Sequence, residues 1–401
     1  MSFKKKVAII GSGPSALMLA ATLDESIFDV IIYEKNFAPG RKFLVAGDGG
    51  FNLTHSEPVD NLIARYTPSD FLHSAISSFT NLDFRTWLSQ IGIETFVGSS
   101  NRVFPIKGIK PIDVLNAILR LLERKKVSIH TLHFWNGWSD DNSLLFEYKN
   151  SQIKVDADYT VFALGGASWS KTGSDGKWSG IFQNKGINVL PFQPSNCAFK
   201  INWPENLINN IEGKWMKNIS VSYGNQICFG EIVCTSFGLE GSPIYALNKF
   251  VREEIKLTGE AKLFIDLKPY STLGHIQEIL TTNNKSINDC LKNKIKLGST
   301  EIELLKSLLS KEEFTNPTLL ADKIKKFPVT AIGLPIIDEA ISSVGGIDLN
   351  EVNQYFEFKN LKNNFATGEM LDWDAPTGGY LLQGCFSMGF FLGSRFNITA
   401  Q

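Results

Sequence analysis

The chain has 401 residues, 43% hydrophobic and 20% charged, which is enough for two or three domains with a sizeable core. Its 40 basic and 41 acidic residues leave a formal charge of −1, which excludes a global basic field for gripping nucleic acid or an anionic membrane. Five scattered cysteines without a C-x-x-C, and five separated histidines, exclude a disulfide framework and leave no zinc or other metal-ligand spacing, as in a reducing cytoplasm.

At the N-terminus, the apolar stretch behind Lys4-Lys5-Lys6 is broken at once by Gly11 and Pro14. It reads as a strand feeding a loop and not as a signal peptide, and no run reaches the roughly 18 apolar residues of a membrane span. A cytoplasmic location is expected. The strand 7–10 leads into Gly11-Ser12-Gly13-Pro14-Ser15-Ala16, then an apolar helix, then a second strand 29–33 ending at Glu34. This is G-x-G-x-x-G/A in its required setting, with an acid about 20 residues on. Gly11 permits the tight turn, Gly13 lets a pyrophosphate approach the backbone, and Ala16 lets the helix lie close to the strand. Glu34 suits a ribose 2′-hydroxyl and repels a 2′-phosphate, which favours FAD or NAD over NADP.

The segment 36–56 is glycine-rich, with Arg41 and Lys42 placed to pair with phosphate oxygens. Gly49, Gly50 and Asn52 would allow backbone approach to a flat ring. Lys35 joins the candidate cofactor contacts beside Glu34. Helices are expected at 69–79, 82–91 and 111–125, strands at 93–97 and 127–133, and a hairpin from 143–148 and 152–155 around Lys149-Asn150-Ser151. A buried strand 159–164 ends at Gly165-Gly166, where small residues let backbone pass close to something large.

Composition shifts near Pro191. Strands at 197–201, 219–223, 227–234 and 261–267, with a helix through 244–255, read as a small β-barrel or sandwich. The lysine- and asparagine-rich stretch 271–326 reads as a small helical subdomain. Val344-Gly345-Gly346-Ile347 reads as a turn between short strands. Residues 364–369 read as a strand delivering Glu369 past Gly368. Gly378 and Gly379 open a mostly apolar helix from Tyr380 and Leu381, with small residues at Gly384, Ser387, Gly389 and Gly393. Free amides at such a start suit the flavin edge that gains negative charge on reduction, and Glu369 suits ribityl hydroxyls.

The combination of Gly40-Arg41-Lys42-Phe43-Leu44, Gly49-Gly50-Phe51-Asn52-Leu53-Thr54-His55, Leu164-Gly165-Gly166-Ala167-Ser168 and Thr367-Gly368-Glu369 with Pro376-Thr377-Gly378-Gly379-Tyr380 is specific and spans nearly the whole chain. It resembles the bacterial aminoacetone-oxidase-like, or BaiN-like, family of NAD(P)/FAD-dependent oxidoreductases. The resemblance implies an α/β fold with a discontinuous Rossmann-like FAD-binding domain (1–190 and 340–401). A β-rich insert (191–270 and 327–339) and the helical subdomain (271–326) interrupt it. Residues 11–16, Glu34, Arg41, Lys42, Glu369, Gly379 and Tyr380 then become contacts to non-covalent FAD. Where many relatives carry His before a Gly-Leu-Ser-Gly-Pro turn, this chain has Ser236 and then Glu240, a departure that resembles a distinct subgroup. The expected activity is hydride transfer between flavin and a small organic substrate, with NAD(P)H or oxygen as second partner. A flavin-dependent RNA (uridine) reductase, using the lysine-rich insert, and a non-catalytic flavin-binding protein are the alternatives. His55, titrating near neutral pH at the end of the glycine loop, is the candidate acid–base catalyst.

Overall fold

The computed structural model describes residues 4–45, 50–283 and 286–400. The chain divides into two compact units, Met1–Gln193 with Ser342–Gln401, and Pro194–Ile341.

The first unit is built on a five-stranded parallel sheet in the order Asn364–Ala366, Tyr159–Phe162, β1 (Lys5–Ile10), β2 (Phe28–Tyr33), Ser128–His130. Val7, Ala8, Ile9 and Ile10 are all buried, as a parallel strand covered on both faces requires. The connection from β1 to β2 is α1 (Pro14–Thr22), whose residues Ser15 to Ala20 are buried on every side. Its second neighbour is the helix Tyr380–Ala400, and Gly389 and Gly393 of that helix are there for this contact. A Cβ on Gly389 would collide with the Ser15 carbonyl, and one on Gly393 would stand 2.8 Å from Thr22 Cβ. Ser387 and Gln383 instead hydrogen-bond the Phe79 carbonyl, at 2.7 and 3.0 Å.

The expected hairpin is formed by Leu144–Tyr148 and Ser151–Val155, with Lys149 and Asn150 both at positive φ (49° and 63°), the two-residue turn that suits strand twist. One reading fails. Gly345 and Gly346 do not make a turn; they lie inside the single strand Ser342–Ile347, the neighbour of Val189–Ser195. Both have positive φ, and side chains there would run into the Pro191 and Met370 backbone. These glycines allow a close approach of chains.

In the second unit, six antiparallel strands run in the order Phe199–Lys200, Gly238–Glu240, Gln226–Thr235, Trp215–Tyr223, Ala261–Asp266, Phe327–Ala331. The first strand returns to the chain leaving the last through Lys200 N to Gly333 O and Ile332 N to Lys200 O, both 2.8 Å, closing a small barrel. The apolar stripes of the helices Leu273–Thr281, Ser299–Leu308 and Pro317–Lys325 bury into the same core as the barrel strands. Among the described residues, no helix is long and apolar enough to cross a membrane.

Candidate functional site

The C-terminal ends of β1 and β2 open into a cleft of about 1100 Å³, part of it open to solvent. Strand ends at a parallel sheet are where dinucleotide-sized ligands sit. Residues 11–15 form its base. At Gly11 φ is +101°, and a Cβ would collide with the Ala163 carbonyl, so only glycine fits. A Cβ on Gly13, by contrast, would meet nothing within 4 Å. Gly13 caps α1 and Pro14 occupies its first turn, so the helix start borders that open space.

Glu34, only 8% exposed at the end of β2, lines the same space. Its carboxylate accepts from the Ser12 hydroxyl on Oε2, and from Asn36 N and Nδ2 on Oε1, each 2.7 Å. A carboxylate has about four lone-pair positions, so capacity remains on Oε2. Ser12 Oγ also accepts from Gly40 N at 3.2 Å, and Asn36 Oδ1 accepts from Arg41 at 2.9 Å. Arg41 is thus tied back through Asn36 to the acid. Lys42 Nζ bridges Ser168 Oγ (2.9 Å) and Glu369 Oε2 (3.0 Å) within the cleft. At the other end, Lys35 pairs with Asp175 at 3.1 Å. Ser174 and Trp178 fasten that segment by donating to the Gly166 and Gly165 carbonyls, at 2.9 and 3.0 Å.

Gly11, Ser12, Gly13, Pro14, Ser15, Glu34, Lys35, Arg41, Lys42, Gly165, Gly368 and Glu369 therefore line one cleft. Other candidates do not line it. Ala16 is wholly buried beneath the helix, where its small size serves packing. Gly166 is filled from behind: a Cβ would collide with Ser343 Oγ, which accepts from Ala167 N. Asn52 folds back on Gly50, its N and Nδ2 donating to the Gly50 carbonyl at 2.9 and 3.1 Å. Gly49 lies outside the described residues. Sequence reasoning missed Asn36, Asp175 and Trp178. The Gly173-Ser174-Asp175-Gly176 turn chemistry was the available signal for the second.

Gly378, Gly379, Tyr380, Leu381 and His55 gather elsewhere, around the start of the C-terminal helix. A Cβ on Gly379 would lie 2.6 Å from Thr54 Cα. The His55 ring stacks on Tyr380 at 5.1 Å and 20°. Its Nδ1 accepts from Glu57 N at 3.3 Å, and it bonds the Ser100 backbone. Burial holds its pKa below the ordinary histidine value.

A cleft at the ends of a parallel sheet, with an acid at the β2 terminus, defines a Rossmann-type dinucleotide-binding fold. Residues 5–395 match the family described as HI0933-like protein Rossmann domain. The chain belongs to that family and is an FAD-dependent oxidoreductase. A similar protein is the 3-dehydro-bile acid delta(4,6)-reductase of Clostridium scindens, 23% identical over 97% of this chain and 98% of that protein. Another is the ribosomal RNA dihydrouridine synthase of Haemophilus influenzae, 22% identical over 97% and 98%. Among solved structures, the 3-ketosteroid delta1-dehydrogenase of Sterolibacterium denitrificans superposes with a TM-score of 0.51 at 12% identity, covering 99% of this chain and 100% of that one. That likeness is one of fold. The cleft suits FAD: the helix start borders open space beside Gly13, and a buried acid keeps acceptor capacity.

Proposed function

We propose that this protein transfers a hydride between FAD held in the cleft and an organic substrate, with NAD(P)H or oxygen as the second partner. The observation that carries the reading is the pairing of open space before Gly13 with the Glu34 carboxylate beside it. In this reading the amides at the start of α1 bind the diphosphate, assisted by the helix dipole. Glu34, aimed by Ser12 and Asn36, accepts from the adenosine ribose. Glu369 accepts from the ribityl hydroxyls, and Lys42 offsets the charge that Glu369 brings into the cleft. Lys35 and Asp175 close the adenosine end. When bound, the flavin supplies the two-electron chemistry.

The substrate class we favour is a small molecule with a conjugated double bond, as the bile-acid relative's name suggests. Reduction of uridine in RNA is the second reading, supported by the relative named for ribosomal RNA. Purified protein should be yellow or become so with added FAD, and should bleach anaerobically with NADH or NADPH. A preparation that remains colourless after reconstitution would overturn the proposal. Bleaching that is reversed by a conjugated enone favours the first substrate class. Salt-dependent RNA binding, with reoxidation by RNA, favours the second.

A further inference from the structure

Beside Glu34 the cleft is lined by residues that the contacts described above leave unused. Leu132 N donates to the Asn36 carbonyl at 3.1 Å and His133 N to the Glu34 carbonyl at 2.9 Å, so the backbone at 132–133 lies alongside the end of β2. His133, Phe134 and Trp135 line the cleft there, together with Tyr33. A ligand whose ribose meets Glu34 has this wall of rings next to it, and the wall contains one imidazole.

The hydrogen bonding of that imidazole fixes its tautomer. His133 Nδ1 stands 2.8 Å from the Thr131 carbonyl oxygen, which can only accept, so Nδ1 carries the proton. In the neutral ring Nε2 is then an acceptor, and among the described residues it has no hydrogen-bond partner. The ring is held in this orientation. It stacks on Tyr148 at 4.3 Å and 16°, and Tyr33, itself stacked on Phe146 at 4.4 Å, packs against it at 5.7 Å. Rings alone stack on any flat base, because every base has a π-face. A fixed acceptor among them favours a base that presents an N–H donor, and adenine presents its exocyclic amine.

We propose that His133 selects the base of the bound dinucleotide, its Nε2 accepting from the exocyclic amine of adenine. The inference rests on the FAD reading above and assigns base recognition within it, where Glu34 recognises the sugar. Its physical basis is asymmetry: a base without the amine leaves Nε2 desolvated and unpaired, whereas adenine satisfies it.

The test is fluorescence titration of the cofactor-free protein, in mildly alkaline buffer, with FAD and with the analogue in which hydrogen replaces the adenine amine. Wild-type protein should bind FAD about tenfold more tightly than the analogue. His133→Phe keeps a flat ring against Tyr148 and deletes the acceptor. It should bind both dinucleotides alike, within about twofold of each other. A ring with only a packing role would weaken both ligands equally and leave their ratio as in wild type, which would overturn the proposal. Wild-type protein that binds the two equally would overturn it as well. If His133→Phe does not fold, the ratio in His133→Ala decides in its place. Wild-type protein that binds neither dinucleotide would overturn the cofactor reading itself, a separate outcome.

Discussion

Gly11 and Gly13 are two residues apart and serve opposite needs. The first sits at φ +101° with its Cβ position blocked by the Ala163 carbonyl; the second has nothing within 4 Å of that position. Gly11→Ala should therefore destabilise the protein without cofactor by about 3 kcal/mol, from left-handed strain plus overpacking. Gly13→Ala should leave that stability unchanged and weaken FAD binding about tenfold, because the new methyl intrudes only where a diphosphate approaches. Denaturation without FAD and fluorescence titration with it separate the two effects. Equal loss of stability in both variants would remove the basis for placing a ligand there. These positions were legible from sequence because the turn, the helix start and the acid are neighbours along the chain. The link from Ser12 to Glu34 was not legible, since a serine at a variable position of the motif carries no local signal for a partner 22 residues away.

At the scale of elements, the helix Tyr380–Ala400 shows how a local pattern can be seen and its reason missed. Its small residues were evident in the sequence, but the purpose of Gly389 and Gly393 depends on α1, more than 350 residues away. Gly389 faces the Ser15 carbonyl and Leu19 N of α1, so Gly389→Ala must push the two helices apart. The expected cost is about 2 kcal/mol. Because α1 carries the amides at the base of the cleft, a measurable loss of FAD affinity should accompany the lower melting temperature. A variant with wild-type affinity and melting temperature would show that this contact is not tight. Gly345 and Gly346 carry the complementary lesson. Paired glycines between apolar residues look like a turn, yet here they are strand residues emptied to admit the backbones at Pro191 and Met370. Periodicity and turn chemistry are local signals, and close approach between distant segments leaves no trace in them. The same reason hid the links of Glu57 to Arg65 and Tyr380, 8 and 323 residues distant.

At the scale of the whole molecule, every residue lining the cleft belongs to the unit formed by Met1–Gln193 and Ser342–Gln401. The intervening unit, Pro194–Ile341, has its own closed barrel and its own apolar core. The chain leaves and re-enters the first unit side by side: Val189–Ser195 and Ser342–Ile347 are neighbouring strands, and Ile341 N donates to Asn196 O at 3.3 Å. A short glycine-serine linker can therefore join Gln193 to Ser342 without straining either strand. The resulting protein should fold, turn yellow with FAD and bind it within about threefold of the full chain. If substrate recognition resides in the removed unit, it should also bleach with a chemical reductant yet fail to turn over the substrate that the full chain reduces. Visible spectra of the two proteins, taken before and after dithionite, provide the comparison. A shortened protein that folds, by its circular dichroism, but cannot hold FAD would mean that residues outside the cleft described here complete the cofactor site.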